Sequence, residues 1–191
     1  SPVMVGTFST VKAGSVSVSG DYAYVGNSDC GGTAGLYVLD VSDPYRPVEI
    51  GFHETRPIRR LALSGDFVYA TSLWGMFLII DVSDPFVPVR ASTLGFTGES
   101  WGVAVSGGFA YVTVRYDFLI PPFILLGLSV INVNDPYRPV EAAFTDNAFG
   151  TSVAVSGDYT FIASHVDGGG LKVVDTGDPY SPAIVGFWNG P

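Results

Sequence analysis

Four times along the chain, large apolar residues alternate with small or polar ones: at 15–18, 60–63, 102–105 and 152–155. A period of two puts successive side chains on opposite faces of a pleated strand, so each stretch predicts a β-strand. Ser-Gly follows each of them, at Ser19, Ser64, Ser106 and Ser156, and one residue later a second apolar stretch begins (22–25, 67–70, 109–112, 159–162). Glycine takes the positive φ of a tight turn at little cost, which predicts a hairpin at each place. A third stretch at 36–40, 77–81, 128–132 and 171–175 is nearly continuously apolar, the pattern of a strand covered on both faces. Asp-Pro follows at Asp43, Asp84, Asp135 and Asp178, and a fourth stretch comes after the next proline (48–52, 89–93, 140–144, 183–187). Sustained 3.6-residue spacing is absent and glycines number 24, so helix is a poor fit.

The Ser-Gly pairs are 45, 42 and 50 residues apart, and the Asp-Pro pairs 41, 51 and 43. Four strands in about 40–50 residues is the period of a propeller blade. The expected fold is therefore all-β: a propeller-like array of four four-stranded blades, at about 14–54, 59–95, 101–145 and 151–188. These form one repeat domain over 1–191, with an extra terminal strand at 1–9. Sheets stacked in an open array are the other arrangement that fits.

The third stretch and its turn carry a signature: Leu36-Tyr37-Val38-Leu39-Asp40-Val41-Ser42-Asp43-Pro44. It recurs as Leu78-Ile79-Ile80-Asp81-Val82-Ser83-Asp84-Pro85 and as Leu171-Lys172-Val173-Val174-Asp175-Thr176-Gly177-Asp178-Pro179. The third copy departs, with Asn132 and Asn134 in place of Asp and Ser. These residues resemble the LVIVD-repeat family of β-propellers over essentially the whole chain. The resemblance implies a propeller in a secreted or surface-attached bacterial or archaeal protein. The family has no common catalytic residue set, so what it implies is fold more than function.

The chain ends repeat each other. Ser1-Pro2-Val3-Met4-Val5-Gly6-Thr7-Phe8 matches Ser181-Pro182-Ala183-Ile184-Val185-Gly186-Phe187, and both read as fourth strands. There are then five fourth strands for four sets of the others. A spare strand leaves an unpaired edge or joins another chain's blade, and head-to-tail joining of that kind builds rings or filaments. Pro2, Val3, Val5 and Phe8 at one end, and Ile184, Phe187 and Trp188 at the other, are the expected assembly residues. Both ends staying within one molecule is the competing expectation. No signal-peptide pattern is read at the start, which begins Ser1-Pro2 as a processed or trimmed terminus would.

Repeat length varies almost only between the second and third strands, and loops that vary on a constant scaffold are where function concentrates. The longest such insertion contains Phe118, Leu119, Ile120, Phe123, Ile124 and Leu125 around Pro121-Pro122. Exposing it forgoes about 1.5–3 kcal/mol of burial per large side chain. It is expected either to contact another chain, or to plug the central channel or extend its two strands.

Charged residues are 14% of the chain, and lysine occurs only at Lys12 and Lys172. Either a partner covers part of the surface, or a Ser/Thr/Gly-rich surface stands in for charge. A net charge of −9 argues against nucleic acid and anionic lipid. No apolar run is long enough for a membrane-spanning helix. Cys30 is the one cysteine, expected as a free thiol; with His53 and His165 it offers no zinc spacing or nucleophile motif. The Gly-rich loops at 27–32 and 165–170 lack the regular oxygen spacing of a calcium loop. No cofactor is expected. Asp43, Asp84, Asp135 and Asp178 read as turn acceptors ahead of proline. Glu54, Arg59, Arg60, Glu99 and Trp101 group near the first-strand starts, and Trp74 and Trp101 suit a sugar-binding face, but nothing sets two carboxylates at a glycosidase distance. The expected role is a non-enzymatic, extracellular or cell-surface structural protein that forms homo-oligomers or polymers. The second reading is a binding module for a glycan or protein at its loop face.

Overall fold

The computed structural model describes residues 1–9, 12–30, 33–119, 122–164 and 169–189, with only the backbone of 117–119 and 122–124. The described residues form sixteen β-strands and no helix. Blade 1 comprises β1 (Ala13–Ser19), β2 (Tyr22–Asn27), β3 (Gly35–Asp40) and β4 (Val48–Glu54). Blade 2 comprises β5 (Ile58–Ser64), β6 (Phe67–Ser72), β7 (Met76–Asp81) and β8 (Val89–Gly95). Blade 3 comprises β9 (Gly98–Ser106), β10 (Phe109–Leu119), β11 (Pro122–Asn132) and β12 (Val140–Asp146). Blade 4 comprises β13 (Ser152–Ser156), β14 (Tyr159–Ser164), β15 (Gly170–Asp175) and β16 (Ala183–Trp188). Each blade is an antiparallel meander with its strands in chain order.

Local chemistry repeats from blade to blade. The carboxylates of Asp43, Asp84, Asp135 and Asp178 accept the N–H two residues on, each at 3.0 Å. Their carbonyls accept the N–H three residues on, closing a turn whose φ the following proline presets. Asp40, Asp81, Asn132 and Asp175 accept the N–H two ahead and so fix the corner that leads into it. The ladder between third and fourth strands is irregular at the same place in every blade, at Val38/Leu39, Ile79/Ile80, Val130/Ile131 and Val173/Val174. A bulge of this kind increases the twist of the outer strand.

The first strands β1, β5, β9 and β13 lie side by side in that order. Each blade presents a rear face to the next blade and a front face to the previous one. Tyr24, Leu36 and Val38 of blade 1 meet Leu61, Val68, Ala70 and Ile80 of blade 2. Tyr69, Phe77 and Ile79 of blade 2 meet Val103, Val112 and Ile131 of blade 3. Tyr111, Leu128 and Val130 of blade 3 meet Ile162 and Val174 of blade 4, with Val153 and Val155 beside them. The near-continuous apolar third strands β7 and β11 follow from this, because a neighbouring blade covers each of their faces. Two buried threonines stitch the junctions. Thr71 Oγ1 donates to the Trp101 carbonyl. Thr113 Oγ1 accepts from the Gly102 N–H at 2.8 Å and donates to the Gly150 carbonyl at 2.7 Å.

For the apolar insertion the structure shows the strand extension that was one of its expected outcomes, and for the terminal strand it departs from expectation. The apolar insertion is the outer part of a hairpin, with β10 and β11 paired on from Arg115↔Leu126 to Leu119↔Pro122. Pairing satisfies the backbone groups that a bare apolar loop would leave to water. Ile120 and Pro121 lie outside the described residues, as do the side chains of Phe118, Leu119, Phe123 and Ile124. Leu125, next to them, is half-buried. Residues 1–9 keep the place of a fourth strand but form no ladder. A fourth strand needs a third strand to pair with, and the described chain has no blade ahead of blade 1.

Candidate functional site

The two end faces of the array are the first candidate. Val16 and Val18 of β1 stand where Leu61 and Leu63 stand on blade 2, yet they are 61% and 63% exposed. On blade 4, Tyr159, Phe161, Leu171 and Val173 occupy the rear-face positions held by Phe67, Tyr69, Phe77 and Ile79 on blade 2. Tyr159 is 43% exposed and the other three are half-buried. The array is therefore open. Its first and last faces are the two halves of the interface that closes three times inside the chain.

Polar groups extend that correspondence. Tyr137, in the Asp-Pro turn of blade 3, donates its hydroxyl to Asp81 Oδ2 of blade 2 at 2.7 Å, with its ring edge-on to Phe67 at 6.0 Å. Tyr180 of blade 4 accepts from Asn132 Nδ2 of blade 3 at 3.2 Å, edge-on to Phe109 at 5.8 Å. The same turn position on blade 1 is Tyr45, 67% exposed, and the matching acceptor and ring on blade 4 are Asp175 and Tyr159. Blade 2 has Phe86 at this position, so the junction of blades 1 and 2 lacks the hydroxyl. Hydrogen bonds from Ser83, side chain and backbone, and then from Tyr137, hold the Asp81 carboxyl below its ordinary pKa. The same bond to Asp81 pushes the Tyr137 phenol up.

A second cluster forms where β5 and β9 run side by side. The Arg59 guanidinium lies 3.7 Å from the Trp101 ring centroid, and its Nη1 is 3.8 Å from Glu99 Oε2. Trp101 Nε1 donates to the same Glu99 oxygen at 3.1 Å, and Phe149 meets the indole edge-on at 6.1 Å. Burial pulls the Arg59 pKa down against the opposing pull of Glu99. Arg59 Nη1 is buried without a hydrogen-bond partner among the described residues. Nearby in sequence, Arg56 sits over the exposed Trp74 at 5.2 Å, and Trp74 has a φ of 70°, strained for a bulky residue.

The structure thus joins Arg59, Glu99 and Trp101 and separates the rest of the expected group. Arg60 turns to the carbonyls of Gly14 and Arg59. Glu54 ends β4 opposite Gly35. Glu99 is the one carboxylate in the cluster. Cys30 is a free, exposed thiol. Among the described residues, no three His, Cys, Asp or Glu side chains gather to hold a metal ion; residues 165–168, with His165, lie outside the description. Sequence reasoning overlooked the Tyr137–Asp81 and Tyr180–Asn132 pairs. Their signal was present, as tyrosine follows Asp-Pro in three of four repeats.

The LVIVD repeat matches at residues 12–55, 56–93, 97–120 and 150–189. The chain belongs to the LVIVD-repeat family. The third match of this LVIVD protein stops inside the long hairpin of blade 3. No curated protein matches it in sequence. Among solved structures it is similar to the periplasmic gluconolactonase of Pseudomonas aeruginosa, at 20% identity and a TM-score of 0.66, covering 92% of this chain and 53% of that one. It is also similar to the computationally designed Ika4 protein, at 11% identity and a TM-score of 0.62, covering 91% and 97%. For the designed Ika8 protein the values are 12% and 0.53, covering 94% and 62%. At such identities the likeness is one of fold alone. The chain spans about half the length of the gluconolactonase.

Proposed function

We propose that this LVIVD protein is a non-catalytic structural module of the cell surface or extracellular space that self-associates head to tail. The rear face of blade 4 packs on the front face of blade 1 of the next copy. One observation carries this reading: the two end faces, where Val16, Val18 and Tyr159 stay exposed while Phe8 packs on the buried Ala23, Val25 and Leu39, hold in the same register the apolar residues that bury each other at the three internal junctions. Burying an exposed valine contributes roughly 1.5–3 kcal/mol, so leaving Val16 and Val18 bare is costly. Tyr45 and Asp175 add a polar pair in the register that Tyr137 and Asp81 already use. A junction between unlike faces makes rings when its rotation closes and filaments when it does not. With −9 on every copy, long-range repulsion opposes association, so added salt should strengthen it.

Sedimentation velocity across a wide concentration range, with electron microscopy of the same material, tests the proposal. Association of the wild-type chain is expected, and Val16→Asp with Val18→Asp should abolish it while leaving the far-UV circular dichroism unchanged. Monomers at the highest concentration would refute it. A second reading, recognition of a glycan or protein at the loop face, is favoured by the strained, exposed Trp74 under Arg56 and by the unspent donor of Arg59. Binding to a glycan array that is lost in Trp74→Ala would support it.

A further inference from the structure

Resting on that reading, we infer that residues 1–9 are a removable cap on the self-association surface, occupying the place of a neighbouring copy's β16 on blade 1. Three observations place the segment there. A side chain at Gly51 in β4 would collide with the Pro85 carbonyl oxygen of the next blade's turn, and one at Gly6 would collide in the same way with Pro44. Gly6 therefore sits on blade 1's turn as a fourth strand of a preceding blade would. Phe8, two residues on, packs on Tyr37 with ring centroids 6.5 Å apart and joins the cluster of Ala23, Val25 and Leu39. On blade 2 the equivalent of Phe8 is Leu94, which packs into the junction with blade 3. Finally, Gly186 of β16 has the sequence place of Gly6 and Gly51, but a side chain there would meet nothing beyond its own blade's Val173.

One site and two claimants follow. Residues 1–9 and a neighbour's β16 share the pattern Ser-Pro-x-x-Val-Gly and cannot both lie on the Pro44 turn. β16 is paired with β15 from Asp175↔Ala183 to Leu171↔Trp188, whereas residues 1–9 have no ladder and leave Val3 and Met4 77% and 81% exposed. Displacing the cap breaks no strand pairing, while exchanging β16 for it would break a whole ladder. The cap therefore leaves, and Gly186 and Trp188 of the incoming copy take the places of Gly6 and Phe8. A chain that must first open binds with an affinity reduced by its open fraction, so the cap weakens association in proportion to how firmly it is closed.

The test compares the full chain, the full chain with Phe8→Ser, and a variant lacking residues 1–8, by sedimentation equilibrium with circular dichroism to confirm folding. Removing a cap that is open about a tenth of the time should tighten self-association by about tenfold, with Phe8→Ser in between. Because Phe8→Ser keeps the whole chain, poor folding of the truncated form does not remove the test. Association that weakens or stays unchanged in both variants would overturn the cap while leaving head-to-tail packing in place. Monomers in all three at every concentration would overturn the packing reading, and the cap with it.

Discussion

Replacing Thr113 with valine tests how neighbouring blades are joined. The side chain is fully buried, and its hydroxyl lies between the Gly102 N–H at 2.8 Å and the Gly150 carbonyl at 2.7 Å. Valine has nearly the same shape, so no cavity forms and the loss is confined to hydrogen bonding. Two bonds disappear, each worth about 1 kcal/mol net, and a buried N–H is left without a partner at about 1–3 kcal/mol. The carbonyl loses less, since under-satisfied acceptors are tolerated better than orphaned donors. The expected loss is about 2–4 kcal/mol, or roughly 5–15 °C in Tm for a chain of this size. Thr113→Ser keeps the hydroxyl and should lose less than half as much. Stability in a repeat array is a sum of units and nearest-neighbour junctions, and blade 4 has a single junction. Amides of β13–β16 should therefore lose hydrogen-exchange protection before those of blades 1 and 2. Urea unfolding followed by circular dichroism gives the energies. A valine variant within about 0.5 kcal/mol of wild type, below the usual net worth of a single bond, would refute the reasoning.

Other outcomes follow from single contacts. Gly26→Ala drives a Cβ into Ile58 Cγ2 at the junction of blades 1 and 2 and should cost about 1–3 kcal/mol; on an Ile58→Ala background the cost should fall, though the Cβ at 58 stays 3.0 Å away, and an unchanged cost would show the clash is elsewhere. Trp74→Asn should stabilise by about 1 kcal/mol, because asparagine accepts the left-handed backbone that tryptophan resists, and destabilisation in urea unfolding would contradict this. Burial, and then the charge of Arg90, pull the His53 pKa down. The unfolded chain takes this proton first, so stability should decline as pH falls below about 6.5 towards the folded pKa, and His53→Gln should flatten that slope between two urea series. Asp81 works in the opposite window: its contribution is complete above the unfolded carboxylate pKa and fades as pH falls through the depressed folded value. By NMR titration, Ser83→Ala should raise the Asp81 pKa more than Tyr137→Phe does, and the reverse order would count against Ser83 as the main cause.

Much of the fold was legible because its causes are local. The alternation in 15–18, the glycine after Ser19 and the aspartate before Pro44 act within a few residues, and the repeat of about 45 residues places them four times over. The insertion around Pro121-Pro122 was harder: a prolonged hairpin has neither a change of period nor a turn glycine to announce it, so a loop and an extended ladder look alike. The candidate cluster was legible only in part. Arg59, Glu99 and Trp101 come together because β5 lies beside β9, whereas Arg60, one residue on past an irregularity in the ladder, reaches back to the Gly14 carbonyl of blade 1. Proximity in sequence could not separate them.

By itself the sequence determined the unit: four strands, their turns, and which stretches are apolar on both faces. These depend on hydrogen bonds and pleat geometry inside one blade. The tertiary structure alone decided which apolar faces are left over. Burying a face takes two surfaces from different blades, and a row of four blades that does not close makes three such pairs, leaving Val16 and Val18 bare at one end and Tyr159 at the other.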